Sequence, residues 1–166
     1  ARDMIRSDES INHILLVGGC KESQILDHGN PRARFMFNFA DGGAAALVSR
    51  EATQSEILES AIITDGSFHD DVRIPAGGSK QYASHDSVDA NQHYIDVKDP
   101  MSMKERLDPV SIPNFAKVVK DALTKSGYQT EDVKALLPLH TKRSMFRELL
   151  DTLEIKEENA VYLDHH

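Results

Sequence analysis

Leu136-Leu137-Pro138-Leu139-His140-Thr141 decides the fold class of this chain, because it reads as the end of a strand running into a helix. The apolar run Val133 to Leu139 predicts a buried strand, and Thr141 predicts a helix start. Met145, Phe146, Leu149, Leu150 and Leu153 then recur on one helical face. His140 is thereby expected at the carboxyl end of a strand beside a helix N-terminus, where α/β proteins assemble binding and catalytic groups. A lone histidine is more often structural than catalytic, so the position nominates His140 without assigning it a role.

Before this junction, Phe115, Val118, Val119, Ala122 and Leu123 repeat at helical spacing, with Pro113 suited to a first turn and Gly127 to a helix end. They predict a helix from Ser111 or Ile112 to about Ser126, after which Thr130 caps a short turn into the strand. Further upstream, residues 1 to 12 read as the polar end of a helix and His13 to Gly18 as a buried strand. A turn-rich loop through Asp27-His28-Gly29-Asn30-Pro31 precedes a strand at Ala44 to Val48. Strands are also expected at 56–64, 72–75, 94–97 and 160–163, with 76–92 as loop. This order of helices and strands predicts a layered α/β architecture.

The 166 residues carry Lys+Arg 19 against Asp+Glu 27, a net charge of −8 with no basic block, which disfavours a nucleic-acid partner. No apolar run approaches the length of a membrane span. Cys20 is the only cysteine, so no internal disulfide framework is possible, and a reducing cytoplasm is the expected compartment. The chain starts Ala1-Arg2-Asp3 and stops at His165-His166 after a strand-like segment, so both ends are expected to be cut.

Two further runs, Phe39-Ala40-Asp41-Gly42-Gly43-Ala44-Ala45-Ala46-Leu47 and Ile74-Pro75-Ala76-Gly77-Gly78-Ser79, taken in order with Leu137-Pro138-Leu139-His140 of the junction, carry a family resemblance, with His13 to Gly19 as a core strand. The chain resembles β-ketoacyl-acyl carrier protein synthase III, a condensing enzyme of the thiolase-like superfamily. The resemblance implies an αβαβα fold in the complete enzyme, with residues 1–50 ending its N-terminal half and 51–166 forming a C-terminal half that stops before the last active-site loops. It further implies a homodimer, no cofactor, acyl-coenzyme A and a malonyl thioester as substrates, and a Cys-His-Asn site for decarboxylative Claisen condensation in fatty-acid or related metabolism.

His140 matches the family's catalytic histidine, expected to donate a hydrogen bond to the malonyl thioester carbonyl. The family's cysteine would lie upstream of Ala1 and its third residue, usually Asn, two residues past His166, so the chain by itself is expected to be inactive. Cys20 is not expected to be the nucleophile; a small, semi-buried side chain is the preferred reading. Where the family has Gln-Ala-Asn and an arginine pair, this chain has Thr141-Lys142-Arg143-Ser144-Met145. Lys142 and Arg143 are candidates for carrier or coenzyme A phosphates, with a solvated helix start as the alternative. The same departure keeps open a non-catalytic module that binds an acyl thioester or a partner subunit, and a relative that uses coenzyme A thioesters for another acyl transfer.

No metal site is expected. His69-Asp70-Asp71 reads as a polar turn rather than a ligand set, because adjacent side chains diverge. Asp164-His165-His166 reads as the start of the loop toward the missing active-site residue. Gly42 and Gly43 are expected to permit close packing, near a dimer interface in the family. Residues 74–79 are expected to shape a loop around the substrate tunnel rather than to bind phosphate.

Overall fold

The computed structural model describes residues 1–51 and 55–162. Among the described residues the elements in order are α1 (Arg2–Ser7), β1 (His13–Cys20), β2 (Gly42–Ser49), β3 (Val72–Arg73), α2 (His85–Asp89), β4 (Asp96–Val97), α3 (Pro100–Ser126) and α4 (Arg143–Leu153), with four short 3-10 turns between them and a fifth after α4. The chain packs as two compact units, Ala1–Ile57 with Gly66–Pro100, and Leu58–Asp65 with Met101–His166.

In the first unit, β1 and β2 pair antiparallel from His13 opposite Ser49 to Cys20 opposite Gly42. The strand expected at His13 to Gly18 is therefore present, but it is not buried: Leu15 is 63% and Val17 74% exposed, as is Leu47 on β2 at 66%. Among the described residues the sheet has two strands, and these side chains stay open to solvent. What holds the sheet end is polar. The Arg50 guanidinium donates to the Ile5 carbonyl, to Asp8 O at 2.8 Å and to Ile11 O at 3.1 Å, closing the turn between α1 and β1. Leu26, Ala33, Met36, Ala76 and Val97 are buried in this unit, and Arg32 grips Asp96 through both carboxylate oxygens at 3.0 and 2.8 Å.

Within 76–92 the structure adds what composition read as loop, the helix α2. Ser84 caps it: the Ser87 backbone N–H donates to Ser84 Oγ at 3.1 Å, while the Ser84 N–H donates to Ser87 Oγ at 2.9 Å. The reciprocal cap uses serine at its third position, where a glutamate or glutamine is the usual signal.

The second unit is built on α3 and α4. α3 begins at Pro100, more than ten residues before its expected start, and carries Pro109 and Pro113 inside it. Each proline lacks an amide hydrogen and forfeits one ladder bond, which is why the sequence read Pro113 as a first-turn residue. The helix ends as expected. Gly127 takes φ +80°, its N–H donating to Thr124 O at 3.1 Å, and Tyr128 N–H donates to Leu123 O at 3.0 Å.

Ile112 and Ala116 of α3 pack with Phe146, Leu149, Leu150 and Leu153 of α4 and with Ile155. Full burial of such side chains contributes about 1.5–3 kcal/mol each. α4 closes with Glu154 left-handed at φ 58° and Ile155 N–H on Leu150 O at 3.0 Å, which folds Ile155 back onto the helix core.

Among the described residues three expected strands are absent as regular ladders, those at 56–64, 133–139 and 160–163. At 56–64 the backbone is served by side chains of α3's end instead: Glu59 N–H donates to Ser126 Oγ at 3.2 Å, and Lys125 Nζ to Ser60 O at 3.2 Å. The run Val133 to Leu139 makes a single parallel bridge, Leu136 to Ala160, flanked by Leu136 N–H on Asn159 O at 2.7 Å and Val161 N–H on Leu136 O at 2.9 Å. Pro138, without a donor two residues on, cannot extend the ladder. Of the strand expected at 160–163, Leu163 lies outside the described residues.

Candidate active site

His140 follows the Leu136 bridge by four residues and precedes α4 by three. It is exposed. Its imidazole stacks on Tyr162, with ring centroids 4.6 Å apart and planes 18° from parallel. Tyr162 in turn lies against Phe146, centroids again 4.6 Å apart at 38°, and Phe146 is only 2% exposed. The histidine thus rests on an aromatic pair rooted in the α3/α4 core. Aromatic pairs of this kind contribute about 0.5–1.5 kcal/mol beyond their burial.

The expected helix start at Thr141 moves to Arg143. Phe146 N–H bonds back to Lys142 O at 3.0 Å, the first bond of α4, while Thr141 O accepts the Tyr162 hydroxyl at 2.7 Å. A side chain, not the helix ladder, takes that carbonyl, so residues 140–142 stay outside α4. Lys142 is extended (φ −61°, ψ 141°) and exposed, and as the N-cap of α4 it forms no side-chain cap. Arg143 is bound within the chain: its guanidinium meets Glu157 at 2.7 Å and lies 5.3 Å from the Tyr162 ring centroid. Arg147 approaches the same glutamate at 3.9 Å.

Beside His140, Pro138, Leu139 and Thr141 join Ile112, Phe115, Met145, Phe146 and Leu149 around an apolar cavity of about 10 Å³. That is room for roughly one water molecule and none for an acyl chain. The sequence nominated His140, Lys142 and Arg143, and the structure sets all three within one turn of the α4 entrance. Tyr162 was not nominated. Nothing in Ala160-Val161-Tyr162 signals a neighbour more than twenty residues upstream; the parallel bridge of Leu136 to Ala160 brings the two segments side by side.

The remaining nominations resolve elsewhere. Cys20 is exposed rather than semi-buried, its sulfur 3.9 Å from Ala40 O. The neighbouring Glu22 carboxylate, hydrogen-bonded to the thiol, pushes its pKa up, the opposite of what a nucleophile needs. His69-Asp70-Asp71 is a turn, with His69 Nδ1 3.0 Å from Gly66 O. Lys98 at 3.1 Å, then Arg73 at 2.9 Å, hold the Asp70 carboxyl below the usual range. Among the described residues no group of three potential ligands converges on a metal position.

Within the chain, a Cβ at Gly42 would meet nothing within 4 Å, and one at Gly43 only Gly18 O at 3.6 Å. Asp41 beside them accepts from Ser23 N–H at 2.9 Å and Ser23 Oγ at 2.7 Å, tying down the strand's entry. In 74–79, Ala76 is buried and Gly77 takes φ +105°, its N–H donating to Gln81 O at 2.9 Å. His165 and His166, with Asp164, lie outside the described residues. No helix among the described residues is long and apolar enough to cross a membrane.

A family model described as 3-Oxoacyl-[acyl-carrier-protein (ACP)] synthase III matches residues 1–66, which include Phe39 to Leu47. Among curated proteins, a β-ketoacyl-[acyl-carrier-protein] synthase III of Aliarcobacter butzleri is 27% identical over 150 residues, covering 90% of this chain and 43% of the relative. One from Solibacter usitatus is 29% identical over 153 residues, covering 89% and 44%. This chain thus spans less than half the length of the curated relatives it matches. Among solved structures, the 3-oxoacyl-[acyl-carrier-protein] synthase III of Aquifex aeolicus superposes with a TM-score of 0.70 at 22% identity, over 96% of this chain and 44% of that one. The synthase III of Pseudomonas aeruginosa gives 0.71 at 19%, over 96% and 44%. From the Phe39 to Leu47 strand onward, the sequence is similar to β-ketoacyl-[acyl-carrier-protein] synthase III, and the chain has a partial α/β fold of the kind those synthases show.

Proposed function

We propose that this chain supplies the histidine-bearing part of an acyltransferase that joins an acyl thioester to a malonyl thioester by decarboxylative Claisen condensation. One observation carries the reading: His140 stays exposed at the entrance of α4 while its ring is held against Tyr162. In the proposed reaction a cysteine thiolate outside these 166 residues first takes the acyl group from its thioester. The malonyl unit then loses CO2, and the electron pair of the broken carbon–carbon bond moves onto the thioester oxygen as an enolate. An imidazole N–H of His140 donates to that oxygen, where negative charge develops. The enolate carbon attacks the acyl-enzyme carbonyl, and the thiolate leaves.

In this reading residues 1–50 end the first thiolase-like half and 51–166 form most of the second, in a cytoplasmic homodimer that needs no cofactor. The substrates are acyl-coenzyme A and a malonyl thioester carried by acyl carrier protein or coenzyme A. Lys142 is the better placed of the two cations for a carrier phosphate, since Glu157 already pairs the Arg143 charge.

In the complete protein, His140→Ala is expected to lower the rate of malonyl decarboxylation about 10²- to 10³-fold, the scale of losing one oxyanion donor, and to leave first-step acylation within about twofold. Equal loss in both steps would make His140 structural. A second reading rests on the run Thr141-Lys142-Arg143, which lacks the family's Asn after the histidine, and on the capture of Arg143 by Glu157 and Tyr162. It is a non-catalytic module that binds an acyl thioester or a partner subunit, and acyl-coenzyme A binding by a complete protein with no decarboxylation would select it.

A further inference from the structure

We propose that Tyr162 is a positioning residue for His140, restraining the imidazole from two directions at once; the inference rests on the catalytic reading of His140. The first restraint acts on the ring. An exposed histidine samples several staggered side-chain wells, and a stack with centroids 4.6 Å apart and planes 18° from parallel selects among them. The second acts on the backbone, where the Tyr162 hydroxyl donates to Thr141 O at 2.7 Å and holds the next peptide out of α4. Ring plane and backbone direction together set where an imidazole N–H points.

Tyr162 can do this because it is itself fixed. Its ring is half-buried against the Phe146 ring, and the Arg143 guanidinium lies 5.3 Å from its centroid. The Leu136 to Ala160 bridge sets the register that places Tyr162 beside His140. A donor aimed at a developing oxyanion must be held within roughly 10–20° of its productive direction, and a solvent-facing histidine without such a support is not.

The test uses the complete protein with three substitutions: Tyr162→Phe, which keeps the stack and drops the hydroxyl, Tyr162→Leu, which drops both, and His140→Ala. The His140 ring-proton resonances, assigned by their loss in His140→Ala, report the stack without reference to activity. In Tyr162→Leu the ring-current shift of these protons disappears and the decarboxylation kcat falls about tenfold, with KM and first-step acylation unchanged. In Tyr162→Phe the shift survives and kcat falls about two- to threefold. A ring-current shift that persists in Tyr162→Leu overturns the proposal, as does a parallel fall of acylation and decarboxylation. A wild-type decarboxylation rate in His140→Ala overturns the catalytic reading beneath it, and that failure is told apart because the shift is still lost in Tyr162→Leu.

Discussion

Leu153 and Val17 have similar side chains and opposite surroundings. Leu153 on α4 is 1% exposed and Val17 on β1 is 74% exposed. α4 finds its facing surface within the chain, on Ile112 and Ala116 of α3, so its apolar stripe leaves water. The β1/β2 sheet pairs all eight residues of each strand and still leaves Leu15, Val17 and Leu47 uncovered. Hydrophobicity alone does not bury a residue; a second layer does. The first unit compensates with polar fastening, of which Arg50 is the clearest case.

Substitutions test that contrast directly. Leu153→Ala should destabilise the second unit by about 2–5 kcal/mol, read as a lowered denaturation midpoint, since the cavity opens among Phe146, Leu149 and Leu150. A loss below about 1 kcal/mol would mean that the α3/α4 core is not the chief support of its unit. Arg50→Ala should cost about 1–2 kcal/mol by removing the donor shared by three carbonyls, and amide exchange should quicken in residues 5–11. Unchanged exchange there would show that the sheet's own pairing suffices. Val17→Thr should change stability by no more than about 0.5 kcal/mol in the isolated 166-residue chain. A larger loss would reveal that the β1 face is covered.

The same contrast separates what was legible in the residues from what was not. The α4 face, the end of α3 at Gly127 and the positions of strands β1 and β2 are legible in the residues, because periodicity and capping are written within a few neighbouring positions. The buried strand at 133–139 was misread: Pro138 sits in an apolar run whose composition favours a strand and whose missing N–H limits it to one bridge. The start of α3 was misread for the converse reason, since Pro113 suits a helix's first turn yet is carried inside a longer one. At the candidate site, His140, Lys142 and Arg143 were nominated together, but the tie of Arg143 to Glu157 across fourteen positions was not visible.

By itself the sequence determined the kind of chain this is: the order Phe39 to Leu47, Ile74 to Ser79 and Leu137 to His140, and an amphipathic helix after the histidine. Tertiary structure decided which apolar faces are covered and what surrounds the imidazole. The physical reason is range. Helix periodicity and turn chemistry act between residues a few positions apart, whereas the stack of His140 on Tyr162 depends on segments that a parallel bridge of Leu136 to Ala160 brings side by side, and no local propensity encodes that partnership.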